Sequence, residues 1–283
     1  MTTLITGARG KVGQAVINRL HAAGLPVRAA SAKPAELAVP SGVDVAEVDL
    51  SRSETFPDAL DGVRQVFLYP QPEGIGAFVE TAQAAGVEHI VLLSSSSVLA
   101  FDAETDPLAS HSLHVERALT TADLPCTFLR PDAFASNALG WSYSISHGLP
   151  IQLAYPDAHI APIHPEDIAD IAVEALTDTA LRGRALTLTG GQSLTFREQI
   201  AVLADVLDRD IRVETITHEQ AEQQMGRFMP APMAGSLLAL WAAASAGPAP
   251  IADTSRTLLG TPARTFRQWA TENAAAFTAF AAR

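Results

Sequence analysis

The sequence predicts an α/β protein with a doubly wound parallel sheet, followed by a smaller and mostly helical C-terminal region. Over the first two-thirds of the chain, short runs that are apolar throughout alternate with helix-like runs. This alternation is typical of parallel strands that helices cover on both faces. A glycine-rich turn follows the first apolar run, and after residue 150 proline and glycine interrupt the pattern.

The strand-like runs are mostly separated by segments of helix length. The strands are predicted at Thr3–Thr6, Val27–Ala30, Val43–Val48, Gln65–Tyr69, His89–Ser94 and Cys126–Arg130. The helices between them are predicted at Lys11–Ala23, Gly76–Ala85 and Ser110–Ala122. Because crossovers between parallel strands are right-handed, helices cover both faces of such a sheet. Ligands bind at the carboxyl ends of its strands, so the residues that follow each strand are the candidate site.

After about residue 150 the pattern of predicted elements becomes irregular. The elements there are predicted as a helix over Pro165–Thr177, a strand over Ala185–Thr189, a helix over Thr195–Leu207 and a strand over Ile211–Ile216. From Glu219 onward the chain is predicted to be mostly helical. We predict a first domain over residues 1–150, with 163–190 packing back onto it, and a smaller region over 151–283.

The composition excludes several classes of protein. The chain has 283 residues, 48% of them hydrophobic, and a formal net charge of −12. This acidity argues against a nucleic-acid surface, which needs clustered lysine and arginine. Cys126 is the single cysteine, so we expect no disulfide and no metal site. The sequence shows neither a basic leader nor an apolar stretch of ~20 residues, so we expect a cytoplasmic monomer or small homo-oligomer that binds no membrane.

The glycine-rich turn predicts a dinucleotide site. Gly7, Gly10 and Gly13 come directly after the first strand and open the first helix. In this setting the first glycine permits a tight turn, the second lets the backbone approach a pyrophosphate, and the third allows close packing of helix and strand. The cofactor contacts predicted for this turn are Gly7, Arg9, Gly10, Lys11, Val12 and Gly13. We therefore predict a Rossmann domain.

The residues after the second strand predict which dinucleotide binds. NAD-binding proteins usually place an acid there to accept a hydrogen bond from the ribose 2′-hydroxyl. In this chain no acid appears before Glu36. Arg9, Ser31 and Lys33 are instead available to surround a 2′-phosphate, and Lys33 is one of only two lysines in the chain. Two cations and a hydroxyl favour NADP(H).

Residues after the other strands complete the predicted cofactor site. Asp49 and Leu50 follow the third strand and are expected near the adenine. The fourth strand ends in Tyr69, Pro70 and Gln71, which are expected near the ribose and pyrophosphate. Three further cofactor contacts are predicted after the fifth and sixth strands, at Ser94, Arg130 and Pro131.

Several of these segments together resemble the atypical short-chain dehydrogenases/reductases of the NmrA-like subgroup. They are Thr6–Gly13, Val48–Leu50, Leu93–Ser97, Val115–Leu119, Thr127–Pro131 with Asn137, and Ile163–Ala169. The resemblance implies NAD(P)H binding and an extended substrate domain. Its members include quinone, imine and ketone reductases and non-catalytic redox sensors, and some tailor aromatic polyketides for antibiotic biosynthesis. The chain is also similar in length to angucyclinone ketoreductases of the simocyclinone type.

The tyrosine and lysine of the usual reductase signature are missing, as in those ketoreductases. The tyrosines are followed four residues later by glutamate or histidine, so no Tyr-x-x-x-Lys pair exists. In relatives with the signature, lysine and tyrosine lie four and eight residues before the helix glutamate. Counting back from Glu116 gives Ser112 and Leu108. The catalytic serine of the fifth strand is retained, and Ser95 or Ser96 is its expected equivalent.

Another group must then stabilise or protonate the charge that hydride delivery creates. The candidate donors are His111 and His114 on the helix that normally carries the tyrosine, His164 near the expected substrate mouth, and Tyr155. The substrate itself could also supply the proton. Candidate substrate contacts, chosen as aromatic, methionine and polar side chains near the expected cleft, are Phe134, Asn137, Trp141, His164, Met225 and Phe228.

Three functions follow from this site. The preferred hypothesis is an NADPH-dependent ketoreductase that acts on a bulky aromatic or polyketide-type substrate. The second is reduction of an imine, an iminium ion or a quinone, each of which is electrophilic enough to accept hydride directly. The third is a non-catalytic NADP(H)-binding sensor, which the missing acid favours.

Overall fold

The computed structural model describes residues 1–100 and 102–278, which belong to two compact units. The first unit contains Met1–Thr105, Ala109–Pro131 and Pro165–Leu188. The second contains Asp106–Leu108, Asp132–His164 and the described chain from Thr189 onward. In these described ranges, no helix is long and apolar enough to cross a membrane.

The elements alternate strand and helix through the first unit and become mostly helical in the second. The strands are β1 (Thr2–Ile5), β2 (Val27–Ser31), β3 (Asp44–Glu47), β4 (Val63–Leu68), β5 (His89–Leu93), β6 (Cys126–Pro131), β7 (Ile151–Leu153), β8 (His159–Ile160), β9 (Ala185–Leu188), β10 (Leu194–Thr195) and β11 (Val213–Thr215). The helices are α1 (Lys11–Ala22), α2 (Phe56–Leu60), α3 (Ile75–Ala84), α4 (Ser110–Thr120), α5 (Ser142–Ser146), α6 (Pro165–Thr177), α7 (Phe196–Leu207), α8 (His218–Met225), α9 (Ala231–Ala244), α10 (Thr254–Leu259) and α11 (Phe266–Glu272).

The first unit is built on one parallel sheet. Among the described residues its strand order is β3-β2-β1-β4-β5-β6-β9. Leu4 of β1 is paired with Arg28 on one side and with Val66 on the other, so the order reverses at β1. This arrangement confirms the predicted doubly wound α/β fold. It also places the glycine-rich turn, which follows β1, at the point where ligands of such sheets bind.

Apolar strands and flanking helices form the core of the first unit. Val66 and Ile90 of the central strands are fully buried, and the rings of Phe56 and Phe78 meet edge to face with centroids 5.3 Å apart. Burial of this kind contributes roughly 25 cal/mol per Å² of apolar surface. On another helix pair, Arg19 of α1 donates hydrogen bonds to side chains of α6, at 2.6 Å to Asp170 and 2.7 Å to Glu166.

The second unit has a core of its own. β7 pairs with β11 in parallel, and β8 pairs with β10 in antiparallel orientation. Phe196 lies between two tryptophan rings, with centroid distances of 6.0 Å to Trp141 and 5.1 Å to Trp241. Trp269 packs on Phe266 at 5.5 Å. These rings, which lie on α7, α9, α11 and the segment around Trp141, pack in one apolar cluster.

The division of the chain differs from the boundaries expected from sequence. Residues 132–150, predicted in the first domain, belong to the second compact unit. The segment Pro165–Leu188 belongs to the first unit, because β9 extends the sheet by pairing with β6. The substrate-binding role of the second unit stays a prediction.

Candidate active site

The glycine-rich turn is shaped so that its backbone can bind an anion. Gly7 has a φ of +64°, which disfavours any other residue, and its carbonyl accepts a 2.9 Å hydrogen bond from the Gly10 amide. A Cβ on Gly13 would lie 2.5 Å from that same carbonyl oxygen. Gly10 precedes the first residue of α1 and has no side chain to cap it. The amino end of α1 can therefore receive a pyrophosphate, so these residues fit a dinucleotide.

Tyr69 is held directly beside this turn. The Thr6 hydroxyl accepts a 2.7 Å hydrogen bond from the Tyr69 amide and donates to the Phe67 carbonyl at 3.2 Å. A Cβ on Gly7 would lie 3.0 Å from the Tyr69 Cβ. The ends of β1 and β4 thus present the exposed Tyr69 and Gln71, with the half-buried Pro70 between them, next to the turn.

One carboxylate holds both cations predicted to bind a 2′-phosphate. Glu36 Oε2 lies 3.3 Å from Arg9 Nη1, and Glu36 Oε1 lies 3.4 Å from Lys33 Nζ. The hydroxyl of Ser31 accepts a 3.1 Å hydrogen bond from the Lys33 amide. The structure therefore brings Arg9, Ser31 and Lys33 into one group and adds Glu36, which the sequence prediction did not include in the site.

The residues expected near the adenine are organised by a local turn. Asp49 accepts hydrogen bonds from Ser51, at 2.6 Å from the hydroxyl and 3.0 Å from the amide, and from Arg52 Nε at 3.2 Å. These bonds, those from Ser51 foremost, lower the pKa of Asp49. Leu50 is half-buried, and its carbonyl lies so close to Gly74 that a Cβ there would collide with it.

A buried ion pair lies where β5 and β6 end. Glu116 of α4 is 5% exposed. It accepts hydrogen bonds from the Ser94 hydroxyl at 2.5 Å and from Arg130, at 2.9 Å from Nε and 2.6 Å from Nη2. The bonds to Glu116 raise the pKa of Arg130. Ser94 and Arg130, both predicted cofactor contacts, thus have side chains bonded to Glu116. Pro131, which follows Arg130 and ends β6, is also buried.

The serines that follow β5 form a hydrogen-bonded turn. Ser95 Oγ accepts bonds from the Ser97 hydroxyl at 2.8 Å and from the Ser97 amide at 3.2 Å. Ser96 begins the short 3₁₀ helix Ser96–Leu99, and both Ser95 and Ser96 are half-buried. Because Ser95 Oγ accepts two bonds, its own proton can be donated to a ligand oxygen.

Two residues near the start of α4 stand where the family resemblance leads us to expect lysine and tyrosine. They are Ser112, which is buried, and Leu108, which is half-buried. The imidazoles of His111 and His114 are exposed. No group of histidine, cysteine, aspartate and glutamate side chains within residues 1–100 and 102–278 could hold a metal ion.

Two further candidate donors have partners in the second unit. Tyr155 Oη lies 2.8 Å from His218 Nδ1, and the two rings meet edge to face. His164 is buried, with Nε2 3.0 Å from Glu272 Oε2. Sequence reasoning missed both partners, because 63 residues separate Tyr155 from His218 and 108 separate His164 from Glu272.

The predicted substrate contacts lie in the second unit but in different surroundings. Phe134 is half-buried, and its backbone pairs with Ile163. Trp141 belongs to the aromatic core cluster. Met225 ends α8 and is half-buried, whereas Asn137 is exposed and Phe228 is 87% exposed. Trp141 thus has a packing role in the second unit, whereas its role as a substrate contact stays a prediction.

Comparisons with known proteins agree with this fold and site. A family model for NAD(P)H-binding proteins matches residues 7–179, so the chain belongs to the NAD(P)H-binding family. A (4-alkanoyl-5-oxo-2,5-dihydrofuran-3-yl)methyl phosphate reductase of Streptomyces griseus is 38% identical over 97% of this chain and 98% of the relative. An NAD(P)H azoreductase of Xenophilus azovorans is 33% identical over 98% of this chain and 99% of the relative.

A solved structure extends the comparison to the whole fold. The Escherichia coli NADPH-dependent quinone oxidoreductase in complex with NADPH has a TM-score of 0.80 and 22% identity, covering 95% of this chain and 99% of that one. The fold that the sequence resemblance implied is therefore confirmed. The protein is an oxidoreductase that uses NAD(P)H.

Proposed function

We propose that the protein is an NADPH-dependent reductase that delivers hydride to a bulky conjugated carbonyl compound, such as an aromatic or polyketide-type ketone. The observation that carries the proposal is the chemistry around α4. By the family resemblance, Leu108 and the buried Ser112 would occupy the positions of the usual tyrosine and lysine, while the turn from Gly7 to Gly13 has its three glycines. The protein thus retains a dinucleotide site without its usual acid.

The cofactor preference in this proposal rests on charge. NADPH, when bound, supplies the hydride. Its 2′-phosphate carries three strong acceptor oxygens, which Arg9, Lys33 and the Ser31 hydroxyl would hold. Gly7, Gly10 and Gly13 would admit the pyrophosphate to the amino end of α1, and Tyr69, Pro70 and Gln71 would border it. Asp49 and Leu50 would lie beside the adenine.

Ser95 has the role of an oxyanion donor in this mechanism. Its Oγ accepts two hydrogen bonds from Ser97, so its remaining proton would be donated to the substrate oxygen as negative charge develops there. Conjugation spreads that charge over the substrate. A phenol or enol of the substrate, or water, then supplies the proton that no tyrosine provides.

The names of the relatives support such an acceptor. One reduces a compound with alkanoyl and oxo groups on a dihydrofuran ring, and another reduces azo compounds. The proposal places the hydride at the carbonyl carbon or at a carbon conjugated with it. The similarity to angucyclinone ketoreductases, in length and in the missing tyrosine and lysine, favours the carbonyl carbon.

The test is transfer of deuterium from NADPH labelled at C4, in both stereochemical forms, to polycyclic ketones, unsaturated lactones, quinones and cyclic imines. We expect label on a carbinol carbon or its conjugated neighbour, detected by mass spectrometry. We also expect Ser95→Ala to lower kcat about 100- to 1,000-fold with the loss of one oxyanion donor. Ser245→Ala, which removes an exposed hydroxyl directly after α9, is the matched control.

Other results would assign other functions. Label in an amine or hydroquinone would replace the proposal with imine or quinone reduction. NADPH binding without label in any product would favour the sensor. If Ser95→Ala and Ser96→Ala, singly and together, leave turnover unchanged, the serine role is wrong. Turnover that survives alanine at His111, His114, His164 and Tyr155 would assign the proton to substrate or water.

A further inference from the structure

Glu36 is the feature of the first unit that the proposed function leaves unexplained. It ends a short 3₁₀ helix, Pro34–Glu36, that begins directly after Lys33. This short helix brings the Glu36 carboxylate next to Lys33, three residues earlier in the chain. The same carboxylate also lies next to Arg9 in the glycine-rich turn. Local backbone geometry therefore places one anion between the two cations proposed to bind the 2′-phosphate.

The three charges are arranged so that a ligand can exchange with the carboxylate. The side chains of Arg9, Lys33 and Glu36 are 60%, 65% and 49% exposed. Ion pairs with this exposure are weak, because water screens both partners. A phosphate monoester has three acceptor oxygens and a charge of roughly −1.5 to −2 at neutral pH. It would therefore attract the same two cations more strongly than a single carboxylate does.

We infer that Glu36 is a specificity-determining residue that competes with the 2′-phosphate of NADP(H) for Arg9 and Lys33. This inference rests on the proposed 2′-phosphate site. In the protein without cofactor, the carboxylate neutralises one of the two positive charges. NADPH must displace it, whereas NADH has no 2′-phosphate and gains nothing from displacing it. Glu36 therefore lowers the affinity for NADPH but not that for NADH, and so reduces the preference of the protein for NADPH over NADH.

The test is direct binding, measured by isothermal titration calorimetry for NADPH and NADH without substrate. Glu36→Gln keeps the size of the side chain and removes its charge. We expect its Kd for NADPH to fall about 3- to 10-fold at low ionic strength and its Kd for NADH to change less than 2-fold. Because salt screens exposed charges, the gain should shrink in 0.5 M NaCl.

The chain offers a matched control at the other end of the sheet. Glu88 directly precedes β5 and also lies in an exposed ion pair, 4.0 Å from Arg64 Nε. Glu88→Gln makes the same change in net charge as Glu36→Gln but does so at the amino end of the strands. We expect it to leave both Kd values unchanged, and an equal gain in this control would overturn the inference as a general charge effect.

The double variant Arg9→Ala/Lys33→Ala separates failure of the inference from failure of the proposed site. If this variant leaves the ratio of the two Kd values unchanged, Arg9 and Lys33 do not bind the 2′-phosphate, and both the proposed 2′-phosphate site and the competition by Glu36 are wrong. If the variant brings the two Kd values closer together, the proposed 2′-phosphate site is right. In that case, a Glu36→Gln protein that binds NADPH no better, or less well, would show that Glu36 positions the cations instead of competing for them.

Discussion

Two carboxylates of the first unit each join two groups of the candidate cofactor site, but one carboxylate is buried and the other is exposed. Glu116 is almost fully buried and accepts a bidentate bond from Arg130 and a 2.5 Å bond from Ser94. Glu36 is about half exposed, and its oxygens lie 3.3–3.4 Å from the two cations it joins. The buried Glu116 is therefore suited to a permanent structural contact, and the exposed Glu36 to exchange with a ligand.

The difference follows from desolvation. When one partner of a buried pair is removed, the remaining charge is left without water or a counter-charge, whereas at an exposed pair water takes the place of the lost partner. Glu116 therefore belongs to the architecture that holds the ends of β5 and β6 and the serine turn. Glu36 can change partners at little cost.

The largest effect that tests this comparison is expected at Arg130. We predict that Arg130→Ala lowers the free energy of unfolding by roughly 3–5 kcal/mol, because it leaves the Glu116 carboxylate buried without a counter-charge. Urea denaturation of the cofactor-free protein, followed by far-UV circular dichroism, measures this loss. The matched control is Arg117→Ala on α4, the helix that carries Glu116, because Arg117 is exposed and paired with the exposed Glu104.

A second variant isolates the charge from the packing. Arg130→Met/Glu116→Leu removes both charges and retains apolar volume, so it should recover much of the lost stability. If Arg130→Ala costs no more than Arg117→Ala, burial does not distinguish the two kinds of pair.

The Glu116 network also shows what the sequence could and could not predict. The Gly7–Gly13 turn was predicted because its contacts are local and require glycine, and the sheet was predicted because its strands are apolar throughout. Glu116 and Arg130 lie 14 residues apart on different elements, so only the folded sheet brings them together. Glu36 was noticed merely as the first acid after β2, since a spacing of three residues does not reveal which cations it reaches.

The short strands of the second unit are a further feature that the sequence could not predict. β7 and β8 have three and two residues, which is too short for an alternating pattern to stand out. They were not predicted, and the second unit was assigned a later start than residue 132. The phenol of Tyr155 was weighed as a lone donor, because its partner His218 is distant in sequence.

His89 separates the effect of burial from that of pairing. Its side chain is fully buried, and Nε2 lies 2.9 Å from Thr127 Oγ1, which itself donates to the Leu181 carbonyl at 2.8 Å. Nδ1 has no hydrogen-bond partner in the described part of the chain. Burial, aided by the positive charge of Arg182, lowers the pKa of His89 from 6.5 to about 4.

This lowered pKa predicts a stability that depends on pH. Between pH 6.5 and 4 the unfolded chain binds a proton at His89 that the folded protein does not, so the free energy of unfolding should fall as pH falls. The full loss is roughly 3–4 kcal/mol. Urea unfolding at several pH values measures it. His89→Gln should flatten the profile, whereas His111→Gln, at an exposed position, should leave it unchanged, and equal slopes in all three proteins would contradict the prediction.

The smallest effect is expected at the exposed end of the comparison. Glu36→Gln breaks two ion pairs, yet we predict that it changes the free energy of unfolding by less than about 1 kcal/mol, because water solvates Arg9 and Lys33 when the carboxylate is lost. Urea denaturation measures the free energy of unfolding of Glu36→Gln and of Glu116→Gln. The second variant gives the contrast, because it alters a buried anion that is paired with Arg130. A loss at Glu36 as large as that at Glu116 would mean that the exposed cluster supports the fold, and a carboxylate that supports the fold cannot yield its place to a phosphate at low cost.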